Sequence, residues 1–199
     1  MQRLCGSFSI TNLENVANFG EAKAALLDNK KYLNKLELQW DNHENVDARR
    51  NEEVLAGLKP HRGLRELEIK NYGGLMFPSW LSDPSFHKLE RIDIQKSQNC
   101  ISLPAFGQLP VLKSLYIDGM RGLECIDSHF CGLGQPLSNA SIIADEGLPT
   151  SLQNLIIMEC DLLSVRCHVE EGEDWNKIKF IHNVEIDGYS SCIDRYMVV

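Results

Sequence analysis

Leu33-Asn34-Lys35-Leu36-Glu37-Leu38 is the stretch whose reading decides the fold. It sets apolar side chains at the first, fourth and sixth positions of a short unit. The fourth and sixth are two apart, so they fall on one face of a strand, and the first packs where the strand begins. The spacing returns at Leu64, Leu67 and Ile69, at Leu89, Ile92 and Ile94, at Leu112, Leu115 and Ile117, and at Leu152, Leu155 and Ile157. Ile181, Val184 and Ile186 form a weaker copy, and Phe8 with Ile10, after Leu4, reads as a degenerate first one. From Leu33 onward, successive copies start at intervals of 31, 25, 23, 40 and 29 residues.

Most of these intervals lie at or near the roughly 20–29 residues of a leucine-rich repeat. One unit cannot bury its apolar face alone, whereas units stacked in a parallel sheet share a continuous core. The expected fold is therefore an α/β leucine-rich-repeat solenoid. It is a horseshoe with a parallel concave β-sheet and with irregular loops and short helices on the convex side. Residues 1–199 read as a single domain of about seven irregular repeats, with an irregular insertion at 131–149 and a C-terminal cap and tail at 172–199. The 40-residue interval is either one repeat with an insertion or two repeats, one decayed, with Leu123-Glu124-Cys125-Ile126 as its remnant. A regular member carries Asn or Cys eight residues after the first Leu. Only Cys160 satisfies this, against Asp41, Tyr72, Ser97, Met120 and Tyr189, so a buried polar ladder is expected to be broken.

The links differ in kind. Gly20 to Lys31 is Ala-rich and reads as a helix. Asn51 to Leu58 reads as a second, with Asn51 as its cap, Glu52 and Glu53 at its positive end and Pro60 beyond it. Pro78, Pro104 and Pro110 mark other links as loops. Gly172 to Lys179, with Trp175 and Ile178, is expected to fold over the last strand, and Ser190 to Val199 reads as a frayed tail.

Charge and cysteine usage narrow the function. Lys and Arg total 20 against 28 for Asp and Glu, a net charge of -8, which argues against a nucleic-acid partner. No run is apolar for long enough to span a bilayer, and the first residues lack the apolar core of a secretory signal. Seven cysteines without a Cys-x-x-Cys pair read as reduced thiols in the cytoplasm, and Asn139-Ala140-Ser141 as a chance sequon. No Gly-x-Ser-x-Gly elbow or His-Glu-x-x-His zinc motif is present. His129 with Cys131 reads as loop residues rather than a base and nucleophile. Cys160, Cys167 and His168 lack a standard metal spacing, and His61 reads as a helix-end residue. No enzyme, metal or cofactor is expected.

Several blocks, in order, carry a resemblance. They are Ile10-Thr11-Asn12-Leu13-Glu14-Asn15-Val16 with Glu21-Ala22-Lys23-Ala24, Leu58-Lys59-Pro60-His61, and Tyr72-Gly73-Gly74 with Phe77-Pro78-Ser79-Trp80-Leu81. Leu103 to Met120, Leu148-Pro149-Thr150-Ser151-Leu152 and Gly172-Glu173-Asp174-Trp175-Asn176-Lys177-Ile178 follow. Together they resemble the repeat region of plant intracellular disease-resistance proteins that combine a coiled coil, a nucleotide-binding module and C-terminal leucine-rich repeats. The resemblance implies a protein ligand, either a pathogen effector or a guarded host protein. It also implies a restraining contact with the nucleotide-binding module of the same receptor. The chain has no Gly-x-x-x-x-Gly-Lys-Ser/Thr loop, so the family's nucleotide switch does not carry over to it. It reads as a fragment, a truncated product or a stand-alone repeat protein. The alternative is a substrate-adaptor repeat scaffold of the ubiquitin system, which an F-box-like helical segment would favour.

Function then falls to the open face of the sheet. Strand alternation puts Ser9, Glu37, Glu68, Asp93, Tyr116, Ile156 and Glu185 in one row. The row before it holds Lys35, Glu66, Arg91, Ser114 and Asn154, and the row after holds Gln39, Lys70, Gln95, Asp118 and Met158. The expected protein-binding residues are Lys35, Glu37, Glu68, Lys70, Arg91, Asp93, Tyr116, Ile156 and Met158. Glu37, Glu68 and Asp93 should stand side by side as an acidic zone that draws in a basic partner, partly offset by the neighbouring cations. Tyr116, Ile156 and Met158 should form an apolar contact zone, unless the 131–149 loop covers them.

Overall fold

Each expected strand pairs with the next in chain order. A computed structural model describes residues 5–41, 47–126 and 148–192. The strands are β1 (Cys5–Ile10), β2 (Tyr32–Gln39), β3 (Glu66–Lys70), β4 (Arg91–Gln95), β5 (Ser114–Asp118), β6 (Asn154–Met158) and β7 (Asn183–Ile186). All seven run parallel in one open sheet, and β8 (Tyr189–Cys192) returns antiparallel to β7.

The inward residues carry the core. Leu36, Leu38, Leu67, Ile69, Ile92, Ile94, Leu115, Ile117, Leu155 and Ile157 are all buried, and so are the leading positions from Leu33 to Ile181. They belong to one continuous apolar cluster with residues of the links. Phe8 and Ile10 are only partly buried against it, as suits a first repeat with one neighbour.

A left-handed corner ends most repeats. Two residues past the third apolar position, φ is positive at Asn12, Asn71, Lys96, Gly119, Glu159 and Gly188. This corner lets the backbone ladder continue past the strands. Asn71 N donates to Gln95 O at 2.9 Å, Lys96 N to Asp118 O at 2.7 Å and Gly119 N to Met158 O at 2.9 Å. At the next step Glu159 N donates to the Asp187 carboxylate at 2.8 Å instead of to a carbonyl. After the corners of β3 to β6 the next position turns inward as Tyr72, Ser97, Met120 and Cys160, a buried stack with little polar character, as the irregular sequence implies, whereas Tyr189 after Gly188 is exposed. Around β2 the pattern shifts by one residue. Trp40 is buried where Asp41 would stand, and its ring meets Tyr72 edge-on at 5.2 Å between centroids.

Four local readings need correction. The Gly20–Lys31 helix is only α1 (Phe19–Lys23), after which the chain breaks at Leu26 (φ 49) and tightens into a 3-10 turn at Leu27–Asn29. Ala22 and Leu27 are both buried, and a continuous helix would set residues five apart on faces ~140° apart, so the break brings both inward. The second helix, α2 (Ala48–Gly57), starts earlier than expected. Asp47 caps it by accepting from Arg50 N at 3.0 Å, and Asn51 is a buried residue within it. A helix missing from the sequence reading, α3 (Asp161–Cys167), follows β6 and turns Leu163, Ser164 and Cys167 inward. Ser190 and its neighbours are strand β8, not tail, and residues 193–199 lie outside the described ones.

The 40-residue interval is one long repeat. β5 pairs directly with β6, Ser114 opposite Asn154, with no strand between them. Leu123 and Ile126 are buried link residues. Helix α4 (Trp175–Ile178) lies in the expected Gly172–Lys179 stretch and packs on α3 before β7, with Ile178 buried. Most of 131–149, including Cys131 and the sequon, lies outside the described residues, as does His129.

Candidate protein-interaction surface

The register fixes the open face residue by residue. Glu37 lies opposite Glu68, Glu68 opposite Asp93, Asp93 opposite Tyr116, Tyr116 opposite Ile156 and Ile156 opposite Glu185. On one side Lys35, Glu66, Arg91, Ser114 and Asn154 align. On the other side Gln39, Lys70, Gln95, Asp118 and Met158 align. All nine expected residues therefore share one face, and the face divides into two halves of different chemistry.

On β2–β4 the charges are paired among themselves. Glu68 takes Lys35 Nζ at 2.9 Å on one carboxylate oxygen and Lys70 Nζ at 2.6 Å on the other. Lys70 also donates to Glu37 at 2.9 Å. Burial pushes the Glu68 carboxyl up, but the Lys70 and Lys35 hydrogen bonds outweigh it and hold it below the usual range. The same contacts hold both lysines above theirs. Like-charge repulsion along the row is thus relieved by cations from the flanking rows. A depression of ≈ 160 Å³ opens beside this network, lined by Lys35, Glu66, Leu67, Glu68, Arg91 and Asp93.

Asp93 sits at the border between the halves and is buried. Gln95 Nε2 donates to one of its oxygens at 2.9 Å, while Arg91 stands 3.9 Å from the other. Burial raises its carboxyl above the ordinary value; the Gln95 bond opposes this and the nearby Glu68 charge adds to it. The Gln95 bond was legible in principle, because residues two apart share a strand face.

On β5–β7 there is no internal cation. The strand segments SLYID, NLIIM and NVEI contain neither Lys nor Arg. Tyr116, Ile156 and Met158 are half-buried there, amid Asp118, Glu159, Glu185 and Asp187. Burial, then the Asp118 and Asp93 charges, raises the Tyr116 phenol, while burial and the Glu159 charge raise Asp118. Strand alternation places Asp187 in the same row as Asp118 and Met158, whereas Glu159 joins this half through the corner turn, which the repeat pattern did not single out.

The two thiols weighed as metal ligands, Cys160 and Cys167, are buried. Cys160 is pushed up to about 11 and Cys167 to about 12 by burial, and Cys160 Sγ donates to Met158 O at 3.2 Å. Among the described residues no group of three or more His, Cys, Asp or Glu side chains could hold a metal, and no helix is long and apolar enough to cross a membrane.

A parallel sheet of short strands, stacked in chain order over a single row-built core, defines a leucine-rich-repeat solenoid. Comparison with known proteins then places it more closely. The family model described as R13L1/DRL21 LRRs matches residues 1–120, and the chain belongs to that family. It is 41% identical over 135 residues to RPP13-like protein 1 of Arabidopsis thaliana, a name that carries the words disease resistance. That match covers 64% of this chain and 13% of the relative. It is 43% identical over 126 residues to the disease resistance protein RGA4 of Solanum bulbocastanum, covering 62% of this chain and 13% of the relative. A third relative, disease resistance protein At3g14460 of Arabidopsis thaliana, is 33% identical over 200 residues and covers 86% of the chain. The chain spans only 13–14% of the length of these relatives. The resemblance carried by the ordered sequence blocks therefore holds.

Proposed function

We propose that the chain is the ligand-reading repeat segment of a plant intracellular immune receptor, working by protein contact and not by catalysis. The observation that carries this reading is the open sheet face. Rows of charged side chains and an apolar group of Tyr116, Ile156 and Met158 stand in strict register on it, in a chain of this repeat family. Half-buried apolar groups within a polar face are what a protein interface uses as anchors. The partner is a pathogen effector, a guarded host protein or the receptor's own nucleotide-binding module.

The test is transient leaf expression of a receptor that contains this segment. Tyr116→Ala should change the defence response. Loss of the ligand-triggered response assigns a sensing contact, and a response without ligand assigns a restraining one. Lys23→Glu, on α1 away from the sheet face, should leave the response as it was. The reading fails if Lys23→Glu alters the response and Tyr116→Ala does not.

A further inference from the structure

The acids of the open face are not equivalent. Glu37 and Glu68 already hold Lys70 and Lys35, so a basic partner arriving there would have to displace existing ion pairs. Asp93 and Glu185 differ. The Asp93 side chain keeps 13% of its surface open, with one oxygen bonded to Gln95 and the other 3.9 Å from Arg91. Glu185 is half-exposed on a strand without a basic residue. Between them in the same row stand Tyr116 and Ile156. The row is therefore acid, aromatic, aliphatic, acid.

Its dimensions specify an occupant. From β4 to β7 are three interstrand steps of ~4.8 Å, so the outer carboxylates stand about 14 Å apart. An extended chain advances ~3.3 Å per residue, so its residues i and i+4 are separated by about 13 Å, with i+2 projecting the same way. We infer that the Asp93–Tyr116–Ile156–Glu185 row is a docking strip for an extended partner segment with basic residues four positions apart and an apolar residue midway. The inference rests on the sheet face being the protein-binding surface, and it adds which half is used and what sequence chemistry fits. Charge supplies attraction at both ends, and a guanidinium can give Asp93 the close donor that Arg91 does not. The central apolar side chain covers Tyr116 and Ile156 and removes them from water.

Two fluorescein-labelled heptapeptides of identical composition test it against the 199-residue chain by anisotropy at low salt. One has the order Gly-Arg-Ser-Phe-Ser-Arg-Gly, and the other has its two arginines adjacent. The spaced peptide should bind at least about five-fold more tightly. Glu185→Gln and Asp93→Asn should each weaken it about ten-fold. Glu53→Gln with Glu171→Gln, a charge loss twice that of either single variant but off the sheet face, should change neither peptide's binding. Equal binding of the two peptides overturns the inference, as does no saturable binding of either up to about 1 mM. Indifference to Glu185→Gln overturns it too, which keeps the test decisive if Asp93→Asn misfolds. Hydrogen exchange separates this failure from failure of the wider reading. Protection of β5–β7 by a Glu-for-Arg version of the spaced peptide, without protection by the arginine form, retains the open face and rejects its proposed charge preference. Protection confined to α1 and α2 rejects both.

Discussion

Replacing Asp174 should cost more stability than replacing any exposed carboxylate of the chain, and the cost should depend on the replacement. The Asp174 side chain is 1% exposed and accepts three hydrogen bonds that tie three segments together. Arg166 Nε, from α3, donates at 3.0 Å, and Lys177 Nζ, from α4, at 2.6 Å. The Ile126 N–H, from the link after β5, donates at 3.1 Å. The two cations are 38% and 42% exposed, so they regain water when the carboxylate is removed, and the Lys177 contact is worth only about 0.5–1 kcal/mol. The buried Ile126 N–H would be orphaned, at about 1–3 kcal/mol. Asp174→Ala should therefore cost about 1.5–4 kcal/mol, most of it from the orphaned N–H. Asp174→Asn keeps an acceptor for Ile126 and the side-chain volume, and should cost about 1–2 kcal/mol. Burial pushes the Asp174 carboxyl up, but Arg166, Lys177 and the Ile126 N–H hold it below its ordinary value. A folded-state value below the unfolded one means the contribution is complete above about pH 4 and is lost as pH falls through the folded value. Urea unfolding of the three proteins at pH 7 and at stepwise lower pH measures all of this. Equal costs for Ala and Asn, or an Asn deficit that grows on acidification, would refute the assignment.

Leu67→Ala should cost about 2–5 kcal/mol in the same assay, because Leu67 is fully buried in the middle of the sheet; a cost below 1 kcal/mol would contradict its core placement. Lys96 holds a left-handed conformation (φ 54), so Lys96→Gly should raise stability by about 0.5–1 kcal/mol. Gly119→Ala should lower it by about 1–2 kcal/mol, since φ is +66 and a Cβ would stand 3.3 Å from Lys96 Cα. Glu68→Gln should cost about 1–2 kcal/mol at pH 7, read by the shift of the urea midpoint. Its carboxyl is depressed and its lysine partners are raised, so that cost should hold across neutral pH and shrink only well into acid or well into alkali.

The strands were legible because their signal is local and repeated. Each copy carries its own pair of inward residues, and every copy from Leu33 to Ile186 aligns in the sheet with its neighbours in the expected register. The links were less legible because their shape is set by packing between repeats. Ala24 and Ala25 favour helix, yet the chain breaks at Leu26 so that Leu27 reaches the core. Asp47 and Asn51 are both good caps, and only the burial of Asn51 within the helix decides between them. Trp40 shows the same limit: the ladder position falls on Asp41, but the larger apolar ring one residue earlier takes the interior and pairs with Tyr72.

For the open face, alternation supplied the membership and not the electrostatics. Glu37, Glu68 and Asp93 are neighbours as expected, but a row of carboxylates is only an acidic surface if nothing reaches it from the side. Lysine stems long enough to cross one strand spacing bring Lys35 onto Glu68 and Lys70 onto Glu37, Lys70 also meets Glu68 on its own strand, and Arg91 stays 3.9 Å from Asp93. The acids at β2–β4 are therefore largely paired within the sheet, whereas strands β5–β7 carry acids and no Lys or Arg of their own beside the apolar group. On the proposed docking strip, attraction and burial then act at one place instead of two. A partner selected there must satisfy both together, which favours a particular spacing of basic and apolar residues over general basicity. Salt should accordingly slow its association, while truncating Tyr116 should speed its release from the same site.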